Sequence, residues 1–285
     1  MAMTDCVAAA NAPAMPELPE VETTVRGLAR WMEGERLEQV AVNRPDLRFP
    51  FPEGLVQSLT GARVIAMGRR AKYGLVHTDR GDTMVFHLGM SGRWRIDPDE
   101  IGKHDHLVLA TAAHRFALHD PRRFGFVDLV RSDALDAWPP FAAMGPEPLG
   151  SELTPGHLGK ALAGRKQAIK LTLLDQRVVA GLGNIDVCEA LWRAGINPNR
   201  AAGRISPAAL ARLVAAIRSV LAEAIEAGGS SLRDYARPDG ELGYFSASFD
   251  VYGREGESCR RCASSAIRRS VQGGRSTWHC PRCQR

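Results

Sequence analysis

The sequence predicts a multi-domain α+β protein: an N-terminal antiparallel β-sandwich or barrel, then a helical domain, then a small metal-stapled tail. Three observations carry this expectation. Short β-branched or alternating segments follow one another from about Arg36 to Arg131, the apolar spacing switches to a helical period beyond residue 150, and residues 259–285 hold two Cys-x2-Cys pairs.

The predicted strands are RLEQVAV, ARVIAM, YGLVHT, TMVFHL, GRWRI, HLVLAT, RFALHD and FGFVDLV, parted by turn-rich pieces such as TDRGDT. Few helices fit between them, which favours antiparallel pairing. Prolines 139, 140, 146 and 148 mark residues 133–150 as a linker loop. Beyond it RKQAIKLTLLDQ, NIDVCEALWRAG and SPAALARLVAAIRSVLAEAIEAGG read as amphipathic helices, the last capped by Ser206, begun by Pro207 and stopped by Gly228. The expected division is a leader over 1–14, a catalytic domain over 15–132, the linker, a helical domain over 151–245 and a zinc finger over 246–285.

A chain of 285 residues with 45% hydrophobic composition can bury a core without disulfides. No apolar run approaches the roughly 20 residues of a membrane span. The first 14 residues lack the basic start and long apolar centre of a secretory signal, so a cytoplasmic setting is expected, in which cysteines are thiols or metal ligands. The net charge of +5 is unevenly spread: residues 259–285 carry Arg260, Arg261, Arg268, Arg269, Arg275, Arg282 and Arg285 with no Asp or Glu, a segment suited to phosphates.

Cys259, Cys262, Cys280 and Cys283 form two tight pairs 17 residues apart, the spacing with which four thiolates close a tetrahedron around Zn²⁺. Four sulfurs leave no open position for water, so one structural zinc is expected, with binding and folding of the tail coupled. Cys188 falls in a helical pattern and reads as a buried small hydrophobe.

The stretch MPELPEVETT begins at Met15. Pro16 and Pro19 by themselves read as a helix start. With Met15 removed, Pro16 becomes a secondary amine, partly neutral at pH 7 from a reference pKa of about 8, able to attack an electrophilic carbon and form an iminium. Glu17 beside it can shuttle a proton. In the full chain Pro16 is an internal tertiary amide and cannot form an imine, so the functional chain is expected to begin at Pro16.

MPELPEVETTVRGL, GRRAKY, HLGMSG, KHDH, DPRRFG, MGPEPL, AIK, GLGNI and QGGRSTWHCPRCQ, in this order and with the four cysteines, resemble formamidopyrimidine-DNA glycosylases, bacterial enzymes that remove oxidised purines such as 8-oxoguanine. The resemblance runs from Met15 to the end. It implies a β-sandwich flanked by helices, a helix–two-turn–helix domain and a zinc-bound β-hairpin, gripping double-stranded DNA between two lobes as a monomer.

By the same resemblance Pro16 is the Schiff-base nucleophile, Glu17 the acid that helps open the sugar and Glu20 a supporting carboxylate. Lys72 matches the lysine of β-elimination and phosphate contact, and Arg275 the arginine of δ-elimination. Met90, Arg122 and Phe124 correspond to residues inserted into the duplex when the damaged base is flipped out. His104, Arg122, Arg165, Lys170 and Asn184 match DNA-contacting positions, and Arg233 to Tyr244 the loop that recognises the damaged base. One departure is GNIDVCE where the family commonly has GNIYASE: Asp186 replaces a Tyr expected close to the DNA backbone, which is expected to weaken binding. Two rival readings stand beside this one, an endonuclease VIII-like glycosylase acting on pyrimidine lesions, and a non-catalytic damaged-DNA-binding protein if the leader persists.

Overall fold

The computed structural model describes residues 16–229 and 248–285. The leader, Met15 and the Arg233–Tyr244 loop lie outside them.

Helix α1 (Leu18–Met32) opens the first lobe. Its apolar residues Val21, Val25, Leu28 and Met32 recur at helical spacing and are buried in one core. Eight strands follow: β1 (Gln39–Val42), β2 (Val64–Arg70), β3 (Tyr73–Thr78), β4 (Asp82–His87), β5 (Arg93–Ile96), β6 (Asp105–Ala110), β7 (Arg115–His119) and β8 (Phe126–Arg131), with the short helix α2 (Leu55–Leu59) after β1. They form two antiparallel four-stranded sheets, ordered β1-β6-β7-β5 and β2-β3-β4-β8. This is a sandwich and not a closed barrel. Val76, Met84, Phe86, Trp94, Leu107, Leu109 and Phe116 fill the space between the sheets together with α1.

The linker is more ordered than its prolines suggest. Ser132–Ala137 forms a 3-10 turn and α3 spans Pro139–Ala142. Both prolines sit in the first turn, where a missing N–H leaves nothing unsatisfied. Trp138 and Phe141 pack edge-on against Tyr73, so this segment covers one face of the second sheet.

The second lobe contains α4 (Pro155–Leu162), α5 (Ile169–Leu173), α6 (Asn184–Ala194) and α7 (Pro207–Glu226). Ser206 caps α7, its hydroxyl accepting the Ala209 N–H, and Pro207 takes the first helical position. The expected helix over RKQAIKLTLLDQ is reduced to five residues. Around it the chain uses its backbone elsewhere: Ile169 N–H donates to Arg200, and Gln167 C=O accepts from Ala202. Helix α4, capped by Thr154 Oγ1, lies where no helix is expected, its pattern weakened by Gly156 and Gly159.

Strands β9 (Arg268–Gln272) and β10 (Arg275–His279) form the tail hairpin. Gln272 pairs with Arg275 around the two-residue turn Gly273-Gly274, both at positive φ, the conformation a tight hairpin turn of matching twist demands.

Candidate active site and nucleic-acid interface

The start of α1 is pinned to the start of α6. Glu20 Oε2 accepts the Glu17 N–H at 2.8 Å, satisfying one donor at the helix entrance. The Glu17 carboxylate itself turns across the lobe boundary: Oε1 accepts from Ile185 N at 3.1 Å and Oε2 from Asp186 N at 3.2 Å. It thus caps a foreign helix at its positive end. Pro16, Glu17 and Glu20 are all buried.

Asp186, expected from the resemblance close to the DNA backbone, is buried at the junction of α1 and α6. It is 3% exposed, and its Oδ2 accepts the Gly183 N–H at 3.2 Å, so it closes the first turn of its own helix and meets Glu17. Burial, and then the negative charge of Glu17, hold its carboxyl well above the ordinary range.

Lys72 enters from the two-residue turn between β2 and β3. Ala71 in that turn has φ +53°, which costs a side-chain-bearing residue about 1–2 kcal/mol. Glu147, from the linker, holds the turn: its carboxylate accepts the Ala71 N–H at 2.6 Å and pairs with Arg69 at 2.8 Å and Arg70 at 2.9 Å. Arg69 in turn pairs with Glu22 of α1 at 2.7 Å. Desolvation pushes the Lys72 ammonium below the usual lysine range, against the pull of Glu17, Asp186 and Glu20. Arg275, exposed on β10, adds a like charge to the same surroundings.

Met90 and the Arg122–Phe124 turn share one platform. Buried Asp120 accepts from Ser91 Oγ at 2.6 Å and from Gly125 N at 2.8 Å, and Ser91 Oγ accepts the Arg122 N–H at 3.2 Å. Arg122 lies over the Phe124 ring at 5.0 Å, and Phe124 is 44% exposed, a large apolar side chain left in water. His87 fixes the other side, its Nδ1 accepting the Gly89 N–H at 3.0 Å; burial drives its pKa down to about 4. His104 adjoins this platform, its C=O accepting from Asp120 N.

Arg165 and Arg275 line a groove of about 440 Å³ with Gln167, Arg177 and Gly273. Lys170 is completely buried; its Nζ donates to Ser276 O at 2.8 Å and Thr277 Oγ1 at 2.7 Å. Asn184 Nδ2 donates to the same Ser276 O at 3.0 Å. These two side chains therefore tie β10 to the helical lobe. Glu147, Asp120, Ser91 and His87 carry no role in the sequence-based expectation, although all four stand inside the MGPEPL, DPRRFG and HLGMSG blocks.

Cys259, Cys262, Cys280 and Cys283 place their sulfurs within 4.8 Å of one another, with Cys259–Cys283 and Cys262–Cys280 each at 3.8 Å. A tetrahedron with metal–sulfur bonds of about 2.3 Å has edges of about 3.8 Å, so the donor set fits Zn²⁺. Among the described residues no helix is long and apolar enough to cross a membrane.

Comparison with known proteins agrees with this geometry. The formamidopyrimidine-DNA glycosylase N-terminal domain matches residues 15–127, and the formamidopyrimidine-DNA glycosylase H2TH domain matches residues 144–236. A formamidopyrimidine-DNA glycosylase of Erythrobacter litoralis is 70% identical over 271 residues, covering 95% of this chain and 100% of the relative. Wild-type Lactococcus lactis Fpg (MutM), solved with DNA containing N7-benzyl-Fapy-dG, superposes with a TM-score of 0.87 at 33% identity, over 95% of this chain and 100% of that one. The same species' Fpg with DNA containing an abasic site gives 0.88 at 33% identity and the same coverage.

Proposed function

The chain belongs to the formamidopyrimidine-DNA glycosylase family and is a DNA glycosylase of base excision repair; from this premise we propose a mechanism centred on Pro16. The active form begins at Pro16, works as a monomer on duplex DNA in the cytoplasm and removes oxidised purines such as 8-oxoguanine. The free imino nitrogen attacks C1′ of the damaged nucleotide as the C1′–base bond breaks. Glu17 protonates the ring oxygen as the C1′–O4′ bond opens, leaving an iminium between Pro16 and the sugar.

The iminium makes the 2′ hydrogen acidic. Its removal expels the 3′ phosphate, and a second elimination expels the 5′ phosphate, so one nucleophile serves excision and strand cleavage. Lys72 serves the first elimination, since burial enlarges its neutral fraction, and Arg275 the second. Glu20 supports Pro16 and Glu17. Met90, Arg122 and Phe124 fill the duplex where the base has left. His104, Arg122 and Arg165 meet phosphates, while Lys170 and Asn184, which both donate to Ser276 O, serve DNA binding by fixing the hairpin. Zn²⁺ held by the four cysteines supplies only shape to that hairpin, and the chain divides for function as 15–132, 133–150, 151–245 and 246–285.

The observation that carries this reading is the Glu17 carboxylate, buried and accepting two N–H groups of α6, one residue from Pro16 and between the lobes. The family match beginning at residue 15 supports the start at Pro16. Borohydride trapping on an 8-oxoguanine:C duplex, with protein starting at Pro16, tests it: the sugar should be recovered on the Pro16 peptide. Recovery on a lysine peptide, or faster excision of thymine glycol, would replace it with the rival chemistry or the pyrimidine reading.

A further inference from the structure

The residue that departs from the family pattern, Asp186, is the one whose surroundings the mechanism above leaves unexplained. Three carboxyl groups, Glu17, Glu20 and Asp186, lie together at the lobe junction, all at most 5% exposed. Lys72 faces them from the β2–β3 turn, Lys170 of α5 and Tyr252 before the tail reach Glu17, and Arg275 of β10 reaches Lys72 and Lys170. Buried carboxylates in contact do not all stay ionised.

Hydrogen-bond accounting assigns the proton. Both oxygens of Glu17 accept backbone N–H groups, from Ile185 and Asp186. A carboxylate accepting two backbone N–H bonds is the form those bonds favour. Asp186 uses one oxygen to accept from Gly183 N, and that same Gly183 lies directly against the Glu17 carboxyl, so the two acids adjoin. Two adjoining carboxyls can share a hydrogen bond only if one carries a hydrogen, and Asp186, which accepts a single backbone N–H where Glu17 accepts two, is the one placed to carry it.

We propose that Asp186 is a positioning residue held as a neutral acid, donating its O–H to the Glu17 carboxylate in a proton-sharing pair that orients Glu17 towards the sugar and spares it an ionised neighbour during sugar opening. The proposal rests on the reading of Glu17 as the acid. Protons and charge balance: attack by the neutral Pro16 amine leaves an N–H⁺ while the purine departs with the bonding pair and takes its proton from solvent; Glu17 accepts the N–H⁺ proton and passes it to O4′ as the C1′–O4′ bond breaks. Asp186 keeps its own hydrogen throughout. Its donated bond holds the Glu17 carboxylate in place and stabilises the charge left behind when the proton has gone to O4′. The raised carboxyl of Asp186 agrees with this arrangement.

Asp186→Asn is the discriminating variant, because its amide can accept from Gly183 and donate to Glu17 in the same positions without titrating. In the DNA-free protein at pH 7, infrared difference spectra of wild type against Asp186→Asn should show one protonated carboxylic acid present only in wild type. Absence of that band overturns the pair whether or not the protein excises bases. In single-turnover excision of 8-oxoguanine, the alkaline fall of the wild-type pH profile should shift up by about one unit or more, or vanish, in Asp186→Asn. Asp186→Ala, lacking the donor, should be slower than Asp186→Asn by about ten- to hundredfold. Superposable profiles, or equal rates for the two variants, overturn the link to Glu17. Loss of excision in all proteins with the band still present would instead refute the glycosylase mechanism and leave the pair standing.

Discussion

Glu17 and Gly183 touch so closely that a Cβ on residue 183 would lie 1.8 Å from the Glu17 carboxyl carbon. The helix carrying the acid and the helical lobe meet where only a hydrogen fits. Gly183→Ala should expel Glu17 from the α6 amides and misplace it by about an ångström, lowering single-turnover excision by roughly a hundredfold. Binding to tetrahydrofuran-containing DNA, which needs no chemistry, should change much less.

The low pKa of His87 makes a stability prediction. The unfolded histidine protonates near 6.5, while the folded one stays neutral down to about 4. Protons therefore bind the unfolded chain first, and the contribution of His87, complete above pH 6.5, is lost as pH falls towards 4. The loss amounts to about 3 kcal/mol at pH 4. Urea unfolding at pH 7 and pH 4.5 should show His87→Gln losing less stability on acidification than wild type.

Lys170 separates two kinds of DNA-binding residue. If its ammonium serves Ser276 and Thr277, Lys170→Met should destabilise the protein by about 1–3 kcal/mol and leave the slope of log K against log salt unchanged. A phosphate-contacting lysine would instead take roughly 0.9 off that slope when removed. Arg165→Ala is the positive control for the slope.

Removal of the metal should undo the tail alone. Chelation, or Cys280→Ser, is expected to abolish the hairpin that carries Arg275 and to weaken duplex binding, with the sandwich still folded. Amide NMR of residues 259–285, with metal content measured in parallel, checks this; a dispersed tail without bound metal would contradict it.

Asp120 joins the two loops that bear Met90 and Phe124. Asp120→Ala leaves Ser91 Oγ and Gly125 N without their acceptor and should let the loops part, lowering affinity for tetrahydrofuran-containing DNA by about tenfold or more. Fluorescence of 2-aminopurine opposite the lesion should show a less opened duplex.

The strands were legible because a half-buried antiparallel sheet writes its two faces into alternate residues, as in YGLVHT and TMVFHL. Helix α7 was legible through Ser206, Pro207 and its apolar stripe. Helix α5 was not, since its apolar pattern extends beyond Leu173 while the flanking backbone bonds to residues 200–202. The four cysteines declare their site by local spacing. The Glu17 site does not, because its partners stand 168 and 169 positions away. The same holds for Asp186: the resemblance marks an acid where a Tyr is expected, but only the packing of α1 against α6 buries it beside Glu17.

Helix α1 serves two interiors at once. Leu18 lies in the core of the helical lobe, whereas Val21, Val25, Leu28 and Met32 belong to the sandwich. Cutting the gene near residue 150 would therefore not yield two self-sufficient fragments: the C-terminal piece would be left with an unfilled apolar socket, and the N-terminal piece with a leucine stranded in water. Co-expressed halves should survive only by reassociating, with Leu18 as the plug between them.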